Sequence, residues 1–179
     1  MKLVNLIRTG FDRLLEAVVV LLVLALALLV ITGFVTRALG SPLSWYDEVA
    51  SVGLAWLTYY GSVLAASKGA HIACPSIVNL FPTSLRVAAV LFAEACVIGF
   101  FILLAWTGLQ VVWILEGSTL ISLPEVSLQL TQSVIPIASI LFILAELLRL
   151  PEVLAKARSG GFIDHELEDV LPASRTVPN

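Results

Sequence analysis

The sequence predicts an all-α integral membrane protein with four transmembrane helices and both termini in the cytoplasm. Three observations carry that prediction. Hydrophobic residues make up 59% of the chain and charged residues 13%, with a mean hydropathy of +1.02; a soluble domain carries about twice that charged fraction. Four uncharged stretches each have the length of a membrane crossing. The cations are shared very unevenly among the segments that join them.

The four stretches lie between Glu16 and Arg37 (20 residues), Glu48 and Lys68 (19), Glu94 and Glu116 (21), and Glu125 and Glu146 (20). A helix needs about 20 apolar residues to cross ~30 Å of hydrocarbon, so spans are expected near 14–37, 46–68, 86–116 and 124–149. A fifth uncharged stretch, Gly69 to Leu85, is rejected because Pro75 and Pro82 break a helix interior. Within it Ile77, Val78, Leu80 and Phe81 either lie flat on the membrane surface as one short turn or form an ordinary loop. The first stretch is at the upper limit for a signal peptide. Arg37 stands where a cleavage site would be, so it is expected to be a retained helix.

Nine of the ten cations fall on one side of this arrangement: Lys2, Arg8 and Arg13, then Lys68 and Arg86, then Arg149, Lys156, Arg158 and Arg175. Only Arg37 falls on the other. Positive residues stay on the cytoplasmic side, which places residues 1–13, the second loop and the 151–179 tail inside. Cys74 then lies in a cytoplasmic loop and Cys96 within the third helix, and no disulfide is expected.

Between Glu16 and Thr32 the first helix has no polar residue, and it is expected to face lipid over most of its circumference. In the hairpin after it, Ser44 and Asp47 have capping-box spacing for the second helix. Asp47 and Glu48 suit that helix's positive end, and Trp45 and Tyr46 suit the headgroup level. The second helix carries Gly53, Trp56, Tyr60, Gly61 and Ala65. Gly61–Ala65 and Ala65–Gly69 are small-xxx-small pairs that let backbones approach closely in lipid, so this helix is expected at an interface. On the third helix, Trp106, Gln110 and Trp113 share a face. Ser122-Leu123-Pro124-Glu125 reads as a second cap, with Pro124 in the first turn of the fourth helix. Pro136 predicts a kink, compensated locally by Ser133 or Ser139. After Pro151 the chain turns polar and acidic through Asp164, Glu166, Glu168 and Asp169, too poor in apolar residues to fold alone.

Few residues offer chemistry. Glu94 is a candidate intramembrane proton or cation site if the third span begins near Arg86; if the span is 95–115, it is interfacial. Glu16 and Glu146 are expected to pair with Arg13 and Arg149, three residues away. His71 reads as a solvated interfacial histidine, and His165 lies in the tail. No metal, cofactor or nucleic-acid signature is present, and no catalytic constellation can be assembled, so the sequence reads as a non-enzyme.

The ordered set Arg37, Pro42-Leu43-Ser44-Trp45-Tyr46-Asp47-Glu48, Leu54-Ala55-Trp56, Gly61 and Lys68-Gly69-Ala70-His71-Ile72 resembles the small permease (Q) subunit of tripartite ATP-independent periplasmic (TRAP) transporters. Leu123-Pro124 and Pro136-Ile137 are similar to that family's fourth-helix region. The likeness runs from about Arg13 to Arg149. The family often has basic and acidic residues where this chain has Ala73, Cys74 and Pro75, which weakens an ionic role for that loop. The resemblance implies a large permease subunit (M) carrying the substrate and sodium sites, and a periplasmic substrate-binding protein delivering a solute, often a carboxylate. The small subunit would extend the static scaffold within membrane lipid. It further implies that Gly53, Trp56, Tyr60, Gly61 and Ala65 contribute to a subunit interface. Arg37, Trp45, Asp47 and Glu48 would then serve the outward face. Two other readings remain open: a self-sufficient proton-coupled carrier using Glu94, and an anchor or assembly subunit of another complex.

Overall fold

The computed structural model describes residues 2–69 and 81–158, with side chains from residue 8 onward. The expectations for Ile77, Val78 and Leu80, for His71 and Cys74, and for the acidic tail lie outside the described residues. Five helical segments are described: α1 (Lys2–Ala38), α2 (Tyr46–Lys68), α3 (Thr83–Ile114), α4 (Leu128–Gln132) and α5 (Val134–Arg158). With α4 and α5 counted as one run, four helices are long and apolar enough to cross a membrane. The chain is an all-α, multi-pass membrane protein.

The described residues form two compact units, one from residues 2–69 and 97–149 and the other from 81–96 and 150–158. In the larger unit α1 and α2 run antiparallel along each other. They are joined by a tight turn in which Gly40 adopts φ +78°. There the Gly40 N–H donates to Arg37 O and the Ser41 N–H to Thr36 O, a Schellman stop that requires the left-handed conformation glycine tolerates. Pro42 follows and cannot continue the helix. The core of this unit is Leu15, Val63, Ala66, Val134, Ala138, Phe142 and Ala145. Phe142 stacks on Phe101 of α3 with ring centroids 3.7 Å apart. The fourth span is the most buried of the four, whereas α1 and α3 keep nearly all their side chains on the outside. Leu21, Leu28 and Phe34 of α1 and Phe92, Leu103 and Trp113 of α3 are all more than half exposed. Apolar surface on that scale needs lipid or protein cover.

Three boundaries differ from expectation. The helix of α1 begins well before residue 14, taking in most of the segment read as an N-terminal extension. The fourth span starts at Leu128, not at Pro124. Its N-cap is Ser127, whose hydroxyl accepts from the Gln129 N–H at 3.1 Å. The preceding residues instead form a small hairpin with a Thr119–Ser127 bridge. At the far end α5 runs through Pro151 to Arg158.

The helical run is broken at Ser133, between α4 and α5. Pro136 has no N–H for the carbonyl of Gln132, and the sequence placed a kink there. The Ser133 hydroxyl donates to Leu130 O at 2.7 Å, not to the carbonyl that Pro136 frees. Ser139 donates to Ile135 O. Beside the break, the indole N–H of Trp56 on α2 donates to Thr131 O at 2.9 Å. Proline also allows close packing here. A methyl group on Gly108 of α3 would lie 2.9 Å from Ile135 and 3.1 Å from the Pro136 ring.

The smaller unit is held by Arg86, which is buried. Its Nε donates to Ala157 O at 2.9 Å, satisfying a carbonyl in the last turn of α5. Its Nη2 reaches Thr83 Oγ1 at 3.4 Å. Val153 and Ala157 supply the buried apolar residues.

Candidate functional site

The charged side chains of the larger unit gather at its two ends. At the end where α2 starts, the sequence expected Ser44 and Asp47 to cap that helix. They do not. The N-cap is Trp45, in helical conformation and without a side-chain cap hydrogen bond. Asp47 is exposed. Glu48 is half-buried and its carboxylate points to another part of the chain. Oε1 accepts from the Ile121 N–H at 3.1 Å and Oε2 from the Ser122 N–H at 2.8 Å. Two adjacent amides are thereby bound by one carboxylate across more than seventy residues of sequence. Charge-assisted bonds of this kind are about twice as strong as neutral ones.

The loop so bound has its own scaffold. The Leu120 N–H donates to Val126 O at 3.0 Å and the Leu128 N–H to Ser118 O at 2.9 Å. Leu120 turns inward at 5% exposure, while Ile121 is 94% exposed. Beside it, Phe34, Arg37, Pro42, Leu43, Tyr46 and Asp47 line a cleft between α1 and α2. The Tyr46 ring lies flat against Gly33, so a methyl group there would come closer than 3.0 Å to three of its carbons.

The opposite end holds the charged pairs. Lys68 at the end of α2 forms an ion pair with Glu16 of α1. Glu16 therefore meets a cation on the neighbouring helix, not Arg13 on its own. Arg149 pairs with Glu146 at 3.3 Å, as the spacing suggested, and also donates to Ala66 O at 3.1 Å. This closes the C-terminus of α2, where Gly69 turns left-handed at φ +71°. Its guanidinium lies against Gly69, where a Cβ would stand only 3.0 Å away. Asp12 also interacts electrostatically with Lys68, and its Oδ1 is enclosed without a hydrogen-bond partner.

The residues expected at a subunit interface separate into two groups. Gly53 faces Leu26 of α1, Trp56 is bonded to Thr131, and Tyr60 packs on the core. These three serve the chain's own fold. Gly61 is different: a methyl group there would meet nothing within 4 Å. It shares a side of α2 with the exposed Leu54 and Thr58. Ala65 is half-buried. Trp106, Gln110 and Trp113 on α3 are all exposed, and Cys96 is a free, exposed thiol. Glu94 is half-buried on α3. It lies 20 residues before Ile114, the last residue of the helix, or about 30 Å along the axis. Sequence reading missed Gly33, Gly108, Asp12 and Thr131, whose roles depend on single partners far away in the chain.

Four apolar spans define a multi-pass membrane protein. Residues 26–156 match the family described as tripartite ATP-independent periplasmic transporters, DctQ component. The match covers most of the chain, and the protein belongs to that family. No match is found among curated proteins.

Proposed function

We propose that this chain is the non-catalytic small membrane subunit of an ion-coupled TRAP transporter of the bacterial inner membrane. It scaffolds the large permease subunit for uptake of an organic acid delivered by a periplasmic binding protein. The match to the DctQ family over residues 26–156 carries this reading. The extensive apolar exposure on α1 and α3 is consistent with a chain that works among lipid and a larger partner. The positive-inside rule puts the Lys68 end in the cytoplasm and the Glu48 end outside. On this reading Arg37, Trp45 and Asp47 face the soluble partner.

The test is a pull-down of the tagged chain in mild detergent, with bound proteins identified by mass spectrometry. A stoichiometric partner of many helices supports the reading. A homodimer with nothing else bound points to the small carrier built on Glu94. Within the complex, the open face around Gly61 and Ala65 is the docking side of α2, so Gly61→Leu should reduce recovery of the partner. Unchanged recovery would remove that face from the interface.

A further inference from the structure

Glu48 stands in the first turn of α2, where a carboxylate ordinarily serves its own helix's free amides. Here both its oxygens are taken by amides of the 115–127 loop instead, at 3.1 and 2.8 Å. Consecutive backbone N–H groups rarely converge on one side chain unless the loop's path is set to present them. This loop is already braced at its base by the Thr119–Ser127 bridge. The carboxylate adds a second fixed point near the tip, next to the protruding Ile121. The loop is thereby tied to the start of α2.

We propose that Glu48 is a positioning residue: it fixes the 115–127 loop to α2, and binding-protein-dependent uptake requires the loop in that position. The inference rests on the transporter reading above. The feature that distinguishes Glu48 from Asp47 is geometry, not charge. Asp47 carries the same charge one residue earlier, is exposed, and makes no such contact with the loop.

The experiment uses the chain purified with its large permease subunit in lipid bilayers. Two quantities are measured: amide hydrogen exchange at Ile121 and Ser122, and uptake into proteoliposomes titrated with the cognate binding protein. In Glu48→Gln one oxygen remains but an NH2 group opposes the second amide, so exchange at the two positions should rise on the order of tenfold or more. The half-saturating concentration of binding protein should rise with it, while the maximal rate is retained. Misfolding would instead lower the amount of assembled complex. Glu48→Asp keeps the charge with one methylene less reach and should fall between Gln and wild type. Asp47→Asn should leave exchange at Ile121 and Ser122 unchanged. Unaltered exchange in Glu48→Gln overturns the tie between loop and helix. Faster exchange with an unaltered uptake titration overturns the positioning role. If the wild-type chain retains no large subunit, the transporter reading fails and the positioning role with it; exchange on the chain alone still decides whether the tie exists.

Discussion

A methyl group on Gly33 would press into the Tyr46 ring, whereas one on Gly61 would meet only open space. Gly33→Ala should destabilise the chain by about 1–3 kcal/mol, the usual range for overpacking a fitted contact, and Gly61→Ala should leave it nearly unchanged. Thermal melting in detergent separates the two. The reverse ranking would mean that the α1–α2 contact differs from the one described. Only Gly61 was legible in the sequence, because it belongs to a small-xxx-small spacing. Gly33 answers to one aromatic ring across a turn, and no periodicity announces such a pair. The ion pairs divide in the same way. Lys68 and Glu16 are each about half exposed (48% and 47%), while Arg149 and Glu146 are 18% and 4% exposed. Lys68→Met should therefore leave the melting temperature nearly unchanged. Arg149→Met removes both a buried ionic partner and the donor to Ala66 O, and should cost about 3 kcal/mol. Equal losses would show that burial does not decide the strength of these pairs.

Among the elements, hydrophobic length located the four spans but not their ends. Span length is a property of the local sequence, whereas a terminus is set by whichever donor or acceptor reaches it. Glu48 illustrates this: its amide partners lie more than seventy residues away, so the capping pattern at Ser44 and Asp47 carried no information about them. The break before Pro136 was legible because the missing N–H is local. The bond that Trp56 makes beside it was not. Thr131 O lies at the end of α4, where helical carbonyls lack partners, and Trp56 supplies the N–H from α2. Trp56→Phe keeps the ring but leaves that carbonyl without its indole donor, a loss of about 1–3 kcal/mol for a buried acceptor. The melting temperature should fall while helical circular dichroism is retained. Trp113→Phe, at a 77% exposed position, should change neither. Loss of helicity in Trp56→Phe would mean that the indole holds more of the fold than one helix end.

For the whole molecule, two long-range contacts order the ends of the bundle without reference to a membrane. The Lys68–Glu16 pair puts the C-terminus of α2 beside the part of α1 that follows Arg8 and Arg13. The Glu48 contacts put the start of α2 beside the third loop. The first and third loops therefore share one end; neither contains Lys or Arg, and Arg37 in the last turn of α1 is the cation beside them. Lys68 and Arg149 belong to the other end. Such a gradient is strong by the positive-inside rule, since it is counted in short loops close to the span ends. It predicts a direction that neither hydropathy nor packing can supply, because inverting the bundle leaves every internal contact intact. After Cys74 and Cys96 are replaced by serine, a single cysteine at Ser41 or Ser118 should react with a membrane-impermeant maleimide added to intact cells. A cysteine at Arg158 should react only after permeabilisation. Labelling of both ends in intact cells would indicate a mixed orientation, and the charge gradient would then not govern insertion. Labelling at Arg158 alone would invert the assignment. It would also put the Glu48-bound loop in the cytoplasm, where no periplasmic binding protein could meet it.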